Sequence, residues 1–567
     1  MRNFTVLFVA ILLIIISLHV GAQRLGSPLD FPLQLSGGFG DLRADHYHTG
    51  IDFRTKSSEG HPLHAVSSGY ISRVSVSPGG YGRAVYVVHP IDCLITVYGH
   101  LQQFTPRIAE IVKKKQYENE SFPVDISFKQ GEFPVRQGDI IGFSGNSGNS
   151  GGPHLHFEVR KMQTNEWIDP LTYYQSRIPD KQKPQIRGLK IYPIEGKGMV
   201  NGSNKKQNID FIIDKNEHPV VNVTIEAWGE TGFGIRAVDR MDGTGFSYGI
   251  KDLLMTVDGR EMFRSYVDGI SPDESRYINS YTDYEEWSAN RSFYMKTFVE
   301  PGNNTQFIAS RNFGIIHINE ERIYNVVFTL TDLYGNTCRV PIRIKGKKQD
   351  IAPPDTIGTT LLRWYKPNVF NALGIRMSFP LNSLYVNIYM RYHMYSDKGY
   401  DAPVHTLHTL PVPLHTPAQL SILLTDSTQT SENPKQYGIV RLTTTPNRRI
   451  VWIGGLYRDG WIHASINELG VYTVTRDITP PTITPVDPAG WLNKKKINIR
   501  ITDDLSGIAS YRGEIDETFV LFEYDSKNSL LTYTFDDERL SPGAHHPQLT
   551  VTDRCGNINN YVFLFTR

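Results

Sequence analysis

The amino-acid sequence predicts a mainly β protein built from several domains. At 567 residues the chain is too long for a single hydrophobic core. Short runs rich in Val, Ile, Tyr, Phe and Thr, such as VPIRIKG (340–346) and KKINIRITDD (495–504), are separated by turn residues, which is typical of β-sandwiches. Helical periodicity is scarce, and the best candidate for a helix is the charged segment 107–120.

Proline-rich, charged stretches divide the chain and are interpreted as linkers between domains. These linkers are RIPDKQKPQ (177–185), KGKKQDIAPPDT (345–356) and RDITPPTITPVDP (476–488). We therefore expect a signal segment, a first domain and three further β domains, with the boundaries 1–22, 23–176, 185–346, 357–476 and 482–567.

A weak internal repeat relates the second domain to the last. VVFTLTDLYGNTCRVPIRI (326–344) and PQLTVTDRCGNINNYVFLF (547–565) both place D-x-x-G-N between two strand-like runs, where Gly-Asn supplies the positive φ angles of a tight hairpin. DDLSGIASY (503–511) and GETGFGIRAVD (229–239) also look related. These segments resemble bacterial immunoglobulin-like modules, which implies Ig-like β-sandwich domains on either side of a β-rich domain of unassigned type.

The composition excludes several classes of function. Lys and Arg number 59 and Asp and Glu 58, so there is no basic field to favour nucleic acid as a partner. The cysteines Cys93, Cys338 and Cys555 lie far apart and lack any CxxC spacing. This pattern argues against a disulfide framework and against a cysteine zinc site.

The first 22 residues are organised like a secretory signal peptide. Arg2 precedes an apolar run over 6–18, and VGA (20–22) provides a cleavage site of small residues. The alternative is an uncleaved N-terminal anchor, because the apolar run is almost long enough to span a membrane. Since no lipid-anchor cysteine or wall-anchoring tail accompanies the signal, we expect an exported protein in the periplasm or cell envelope of a diderm bacterium.

The stretch GNSGNSGGPHLHFEVR (145–160) contains two candidate sites at once. GNSGGP (148–153) is close to the nucleophile loop of trypsin-like serine proteases, with Ser150 as the nucleophile. A nucleophilic serine needs a histidine base that is oriented by an aspartate. The upstream histidines stand in HYHTGID and VYGHL, and neither context matches that class, so the serine hypothesis is a minor alternative.

The histidines of the same stretch suit a metal. In a strand alternate residues share a face, so His154, His156 and Glu158 lie on one side while the apolar residues between them enter a core. Glu158 either orients a ligand or forms a surface salt bridge.

Further metal ligands are available upstream. His48 and Asp52 share one face of an extended segment, and a Val/Ile/Tyr-rich strand delivers His100 at its end. Each pattern alone is weak, and their combination within about 110 residues of strand-like sequence carries the metal hypothesis.

Five segments, taken in order, resemble the LytM/lysostaphin-type zinc metalloendopeptidases, which cleave peptide bonds in peptidoglycan. These segments are HTGID, EGHPLHAVSSGYISRV, GGYGRAVYVVH, YGHL and VRQGDIIGFSGNSGNSGGPHLHFEV. The resemblance covers residues 35–165 and implies a barrel-like domain of the duplicated-hybrid-motif type. The segment between His100 and Gly138 is longer than in compact members and is a candidate to cover the cleft. Arg43 matches a family position without an assigned role.

The resemblance also implies a role for each candidate residue. His48, Asp52 and His156 would bind one Zn²⁺, whose fourth position stays free for water. His100 and His154 would be the catalytic pair, with His154 accepting the proton of water and His100 supporting the oxyanion, or with these roles exchanged.

We therefore expect an exported zinc endopeptidase that hydrolyses stem or cross-link peptides of peptidoglycan, with Ig-like domains available to contact other envelope proteins. The alternative is a non-catalytic LytM-like regulator of another cell-wall hydrolase. Such regulators typically lack part of the ligand set, whereas this sequence has all of it.

Overall fold

The computed structural model describes residues 25–425, 433–443, 449–535 and 539–567. The predicted signal peptide lies outside these residues. Strands dominate throughout, so the predicted mainly β fold class is confirmed. Within the described residues, each predicted domain contains a large cluster of buried apolar side chains. No helix in this part of the chain is long and apolar enough to cross a membrane.

The first domain is built on an antiparallel sheet with the strand order β1-β2-β11-β6-β5-β4-β8, next to a small sheet β3-β10-β7. Its strands β1 to β12 are Leu35–Gly37, Ile51–Arg54, Pro62–His64, Gly69–Val76, Arg83–His89, Leu94–Gly99, Gln103–Phe104, Val124–Ser127, Pro134–Val135, Ile140–Phe143, His154–Lys161 and Trp167–Ile168. The alternation of polar and apolar residues in HLHFEV buries Leu155, Phe157 and Val159 completely in the core.

The insertion after His100 contains a helix, as predicted. Helix α1 (Pro106–Glu118) begins with proline at its first position, which suits a helix start, and buries Ile108 and Val112. A short helix α2 (Leu171–Tyr174) closes the domain and places Tyr174 in the core.

The second domain is built on a sheet with the order β14-β13-β17-β25-β24-β18-β19-β22, to which β21 and β23 add through β17, while β15 and β16 form a separate two-stranded sheet. Its strands β13 to β25 are Gln185–Val200, Gln207–Asn208, Ile212–Ile213, Pro219–Val220, Ile225–Val238, Asp252–Val257, Arg260–Tyr266, Gly269–Ile270, Met295–Lys296, Ile308–Ser310, Ile316–Ile318, Ile323–Thr331 and Thr337–Gly346, and its helices α3 and α4 are Ile278–Tyr281 and Tyr284–Asn290. Because β12 pairs with β20, the sheet of the first domain continues into the second.

The third domain consists of two sheets around one core, ordered β26-β29-β30-β36-β32-β33 and β27-β28-β31-β35-β34. Its strands β26 to β36 are Thr359–Leu362, Asn368–Ala372, Ile375–Phe379, Ile388–Tyr395, Val404–Leu407, Val412–Leu423, Tyr437–Leu442, Ile450–Gly454, Leu456–Arg458, Trp461–Leu469 and Val471–Arg476.

The fourth domain also encloses its core between two sheets, β37-β38-β42-β41 and β40-β39-β44-β45. Its strands β37 to β46 are Thr482–Val486, Lys496–Thr502, Ile508–Ile515, Thr518–Val520, Glu523–Asp525, Leu530–Thr534, Ala544–His545, Pro547–Asp553, Ile558–Val562 and Phe565–Thr566, and helix α5 is Trp491–Lys494. This arrangement is that of a β-sandwich.

The fourth domain folds back onto the first. Glu523 forms an ion pair of 2.7 Å with Arg83, and the Ser526 hydroxyl donates to the Pro78 carbonyl at 2.6 Å. Phe519 packs edge-on against Tyr117 near the end of α1. The insertion is therefore a contact surface for the fourth domain.

The second domain also supports the first, through the segment that precedes β2. Tyr47 is buried in the core of the second domain, edge-on to Phe307 at a ring separation of 5.5 Å. The Gly249 N–H donates to the Asp41 carboxylate at 2.7 Å. The backbone around residues 41–48 is thus held by a domain that is remote from it in sequence.

Substitution of Tyr47 tests this support. Tyr47→Ala removes a buried ring and should lower the free energy of unfolding by about 3 kcal/mol, measured by urea denaturation. Tyr47→Phe is the control, because the buried Tyr47 hydroxyl has no hydrogen-bond partner among the described residues. It should leave stability within about 0.5 kcal/mol or raise it. Equal losses in the two variants would contradict the packing role.

Candidate metal centre

Three side chains, two from neighbouring strands and one from the segment before β2, meet at one point. β11 lies between β2 and β6 and is antiparallel to both, with His156 directly opposite Asp52 on one side and Gly99 on the other. His48 lies three positions before the first residue of β2 and reaches the same point. The sequence-predicted ligands His48, Asp52 and His156 are therefore brought together, and all three are mostly buried.

The spacing of the ligand atoms fits one metal ion. His48 Nε2, His156 Nδ1 and Asp52 Oδ1 form a triangle with sides of 3.1, 3.0 and 3.1 Å. Zinc bonds of about 2.0–2.1 Å in tetrahedral geometry place ligand atoms about 3.3 Å apart. Two imidazole nitrogens and one carboxylate oxygen are also a ligand set that leaves a fourth position open.

Hydrogen bonds on the far side of each histidine fix the nitrogen that faces the metal position. His48 donates through Nδ1 to the Gly38 carbonyl at 2.6 Å, which leaves Nε2 as the ligand atom. His156 donates through Nε2 to Glu158 at 3.1 Å, which leaves Nδ1 as the ligand atom. The tautomers are thus set by the protein before a metal binds.

Glu158 is the centre of a buried hydrogen-bond network and is not a surface salt bridge, since it is fully buried. One carboxylate oxygen accepts from His156, from the Thr49 hydroxyl at 2.6 Å and from the Tyr81 hydroxyl at 2.5 Å. The other accepts from the Arg160 guanidinium at 2.5 and 2.8 Å. Of the two alternatives for Glu158, the structure supports orientation of a ligand.

Groups of opposite charge around the metal position stabilise one another and shift one another's pKa values. Burial disfavours the charged form of Asp52, but His48 and His156 outweigh it and hold the pKa of Asp52 well below its usual range. Burial likewise opposes protonation of His156, yet Asp52 and Glu158 raise the pKa of His156 to about 9. The pKa of Glu158 falls to about 2, because His156 and Arg160 outweigh the effect of burial.

The predicted catalytic histidines lie beside this centre. The rings of His100 and His154 are 4.7 Å apart, and His154 Nε2 is 3.5 Å from Asp52 Oδ1. His100 donates through Nδ1 to the Ser147 carbonyl, and His154 to the Gly152 carbonyl, both at 2.8 Å. Burial lowers the pKa of both histidines, to about 3 for His100, where His156 and His154 add to the effect. Both rings are therefore neutral near pH 7 and have an unprotonated Nε2.

Ser150 belongs to the loop that carries His154. It is 5% exposed, its hydroxyl donates to the Gly152 carbonyl at 2.8 Å, and its oxygen lies 3.1 Å from His154 Nδ1. Asp52, whose Oδ1 lies 3.5 Å from His154 Nε2, also contacts His48 and His156. The hydroxyl thus stabilises the loop that fixes the His154 ring.

The glycine-rich loop forms a wall held from behind by other segments. Gly148 has a φ of +68°, and a Cβ there would clash with the backbone of Gly82. Lys527 of the fourth domain donates to the carbonyls of Asn146 and Gly148. The loop is therefore restrained by two domains.

Two residues in contact with the centre carried little or no signal in the sequence. Tyr81 stacks on the His156 ring at 5.3 Å, besides its bond to Glu158, and nothing in GGYGRAV sets it apart from a core tyrosine. Arg43 has its guanidinium 3.9 Å from Asp52 Oδ2 and is partly exposed at the edge of the site. Only the fold brings these residues to the metal ligands.

Known proteins are similar to parts of this chain. Residues 124–170 match peptidase family M23, and residues 359–477 match the Zu5-like domain. The chain is 35% identical over 113 residues to the DD-carboxypeptidase/endopeptidase Mpg of Neisseria meningitidis serogroup B, covering 20% of each protein. It is 27% identical over 148 residues to lysostaphin of Staphylococcus staphylolyticus, covering 26% of this chain and 24% of lysostaphin.

A solved structure, the catalytic domain of a mutant of the prophage-encoded M23 protein EnpA from Enterococcus faecalis, shares 28% sequence identity with this chain. It covers 26% of this chain and 97% of that one, with a TM-score of 0.19. The chain spans about a fifth of the length of the first curated relatives that it matches.

A metal centre of two histidines and one aspartate, with two further histidines beside it, places the first domain among the metallopeptidases. The matches to peptidase family M23, to Mpg and to lysostaphin support the LytM/lysostaphin family for this domain. The resemblance stated from the sequence motifs is thereby confirmed.

Replacement of Glu158 tests the role of the buried network. Glu158→Gln keeps the shape but removes the charge that orients His156, so metal affinity should fall by about 10- to 100-fold, measured by competition with a chromogenic chelator. Glu166→Gln is the matched control, because among the described residues Glu166 forms its ion pair with the half-exposed Lys161 of the same hairpin and with no other cation. Unchanged affinity in folded Glu158→Gln would contradict the orienting role.

Proposed function

We propose that this protein is an exported, zinc-dependent endopeptidase that hydrolyses peptide bonds in the stem or cross-link peptides of peptidoglycan. The observation that carries the proposal is the triangle of His48, Asp52 and His156 with His100 and His154 at its edge. Two relatives named as endopeptidases, Mpg and the glycyl-glycine endopeptidase ALE-1 of Staphylococcus capitis, support the same class of reaction.

In this proposal His48, Asp52 and His156 bind the metal, and His100 and His154 transfer protons. A bound zinc ion would supply a Lewis acid that lowers the pKa of water and polarises the scissile carbonyl. His154 and His100 each have a neutral Nε2 with a fixed tautomer, so one can accept the proton of the attacking water and later deliver it to the leaving amine. The second can share that same proton, and its Nε2–H would then lie close to the negative charge that develops on the carbonyl oxygen.

The surroundings of the centre suit an extended peptide. The loop 145–152 has small side chains, and Gly151 and Gly152 have open space where a Cβ would lie. Backbone can therefore approach the histidines closely from that side. The β domains that follow, for which the internal repeat predicts an Ig-like type, would position this cleft against the wall or against other envelope proteins.

The metal and serine hypotheses give opposite results in one experiment. Zinc content by mass spectrometry and release of soluble fragments from purified peptidoglycan are measured for the wild type, His156→Ala and Ser150→Ala. His156→Ala should lose bound zinc and at least 1,000-fold in rate, whereas Ser150→Ala should retain zinc and most of the activity.

His46→Ala is the control, because His46 is exposed and outside the centre. Digestion by His156→Ala at the wild-type rate would overturn the proposal, and loss in Ser150→Ala alone would favour the serine alternative. A zinc-loaded wild type that digests neither glycine-bridged nor diaminopimelate-linked peptidoglycan would indicate the regulator instead.

Export is part of this proposal and has its own test. The full-length chain, expressed in a diderm bacterium, should appear in the periplasmic or envelope fraction with a new N-terminus after Ala22, determined by N-terminal sequencing. Recovery in the envelope with Met1 retained would indicate the uncleaved anchor, and recovery in the cytoplasm would contradict export.

A further inference from the structure

Two clusters of aspartates lie outside the metal centre, at the domains related by the sequence repeat. Asp180 of the first linker and Asp239 and Asp332 of the second domain each have a carboxylate oxygen within 4.8 Å of the others. The same is true of Asp477 of the last linker with Asp503 and Asp553 of the fourth domain. We call these the second-domain triad and the fourth-domain triad.

The repeat D-x-x-G-N places one member of each triad in the same geometry. Asp332 accepts the N–H groups of Tyr334 and Asn336 at 2.9 and 2.8 Å and the Asn336 side chain at 2.7 Å. Asp553 accepts the N–H groups of Cys555 and Asn557 at 2.8 Å and the Asn557 side chain at 2.7 Å. The two turns are equivalent bond for bond.

The linkers supply the second member of each triad. The backbone carbonyl of Asp180 accepts from the Asn336 side chain at 3.4 Å, and that of Asp477 from the Asn557 side chain at 3.0 Å. The repeated asparagine therefore ties each linker to the hairpin turn of the domain that it enters.

The third members also correspond, since Asp239 and Asp503 each follow directly after a strand, β17 and β38. Three residues later, a backbone N–H of the same turn donates to the linker carboxylate. This donor is Asp242 for Asp180 at 3.1 Å and Ser506 for Asp477 at 2.9 Å. The two triads therefore have the same local structure.

The second-domain triad is buried and incompletely satisfied. Asp180, Asp239 and Asp332 are 7%, 8% and 5% exposed. Asp180 Oδ2 and Asp239 Oδ1 are buried oxygens without a hydrogen-bond partner, and Asp503 Oδ1 is another in the fourth-domain triad. Among the described residues, no Lys, Arg or His lies within ion-pair distance of any of the six carboxylates.

Buried carboxylates that face one another without a cation repel strongly. Burial, with Asp332 and Asp180 close by, raises the pKa of Asp239 to about 8. A cation at the centre of the triad would relieve the repulsion and give the unpartnered oxygens a ligand.

We propose that each triad binds a calcium ion that fastens a linker to the domain it enters. The donors are all oxygens, which hard cations prefer, and nitrogen or sulfur ligands for zinc are absent from both triads. Calcium accepts irregular arrangements of six to eight oxygens, whereas magnesium demands a near-ideal octahedron. The aspartates of the triads are separate from the proposed ligands of the zinc centre.

Calcium bound in this way would fix the position of neighbouring domains. Asp180 lies in the linker that leaves the first domain, and the Tyr334 hydroxyl donates to the Ile178 carbonyl of the same linker. Asp477 lies in the linker to the fourth domain, whose Lys527 holds the glycine-rich loop. Both linkers would therefore be rigid in the presence of calcium and looser without it.

Calorimetric titration of the zinc-loaded full chain with CaCl₂ tests the proposal. We expect two ions per chain, with dissociation constants of about 10⁻⁴ to 10⁻³ M or tighter. Asp332→Asn and Asp553→Asn should each abolish one site or weaken it at least tenfold. Asp210→Asn and Asp504→Asn, which change exposed aspartates of the same two domains, should retain both.

Asp239→Asn gives a second readout whose sign depends on calcium. Without calcium its midpoint of thermal unfolding should equal or exceed that of the wild type, because a repelling charge is removed. With 5 mM CaCl₂ the wild type should gain stability and the variant should lose part of that gain. No heat of binding in the wild type, tighter binding of MgCl₂ than of CaCl₂, or two intact sites in the Asn variants would each overturn the proposal.

Discussion

The metal centre depends on the register of one strand. β11 pairs with β2 and β6 so that His156 stands opposite Asp52 and Gly99. A shift of one residue would turn every side chain of HLHFEV to the other face and send both histidines into the core. Leu155 and Phe157 oppose that shift, because they are fully buried and the shifted register would move them out of the core. The hydrophobic core therefore sets the position of the ligands.

A buried carboxylate below the ligands completes the centre. Glu158 is removed from water at a large desolvation cost, which is offset by donors from His156, Thr49, Tyr81 and Arg160. These donors come from different segments of the first domain. The ring of His156 is consequently held from both sides, and the centre is preorganised before a metal ion arrives.

The later domains take part in the architecture of the centre. The second domain buries Tyr47, next to the ligand His48, and the fourth domain holds the carbonyls of the glycine-rich loop through Lys527. Both linkers that lead into these domains carry an aspartate of a triad. Stability of the linkers and geometry of the cleft are therefore physically connected.

The sequence by itself determined the features that depend on local pattern. Alternation in HLHFEV predicted a strand with His154 and His156 on one face, the motif order identified His48, Asp52 and His100, and the D-x-x-G-N repeat related two of the β domains. These patterns are readable because side-chain direction in a strand follows from sequence spacing alone. Only the tertiary structure decided what depends on remote contacts: the burial of Glu158, the stacking of Tyr81, and the insertion serving as a contact surface for the fourth domain. Such contacts join residues that are tens to hundreds of positions apart in the sequence. They form only when whole domains pack together, and no local pattern encodes that packing.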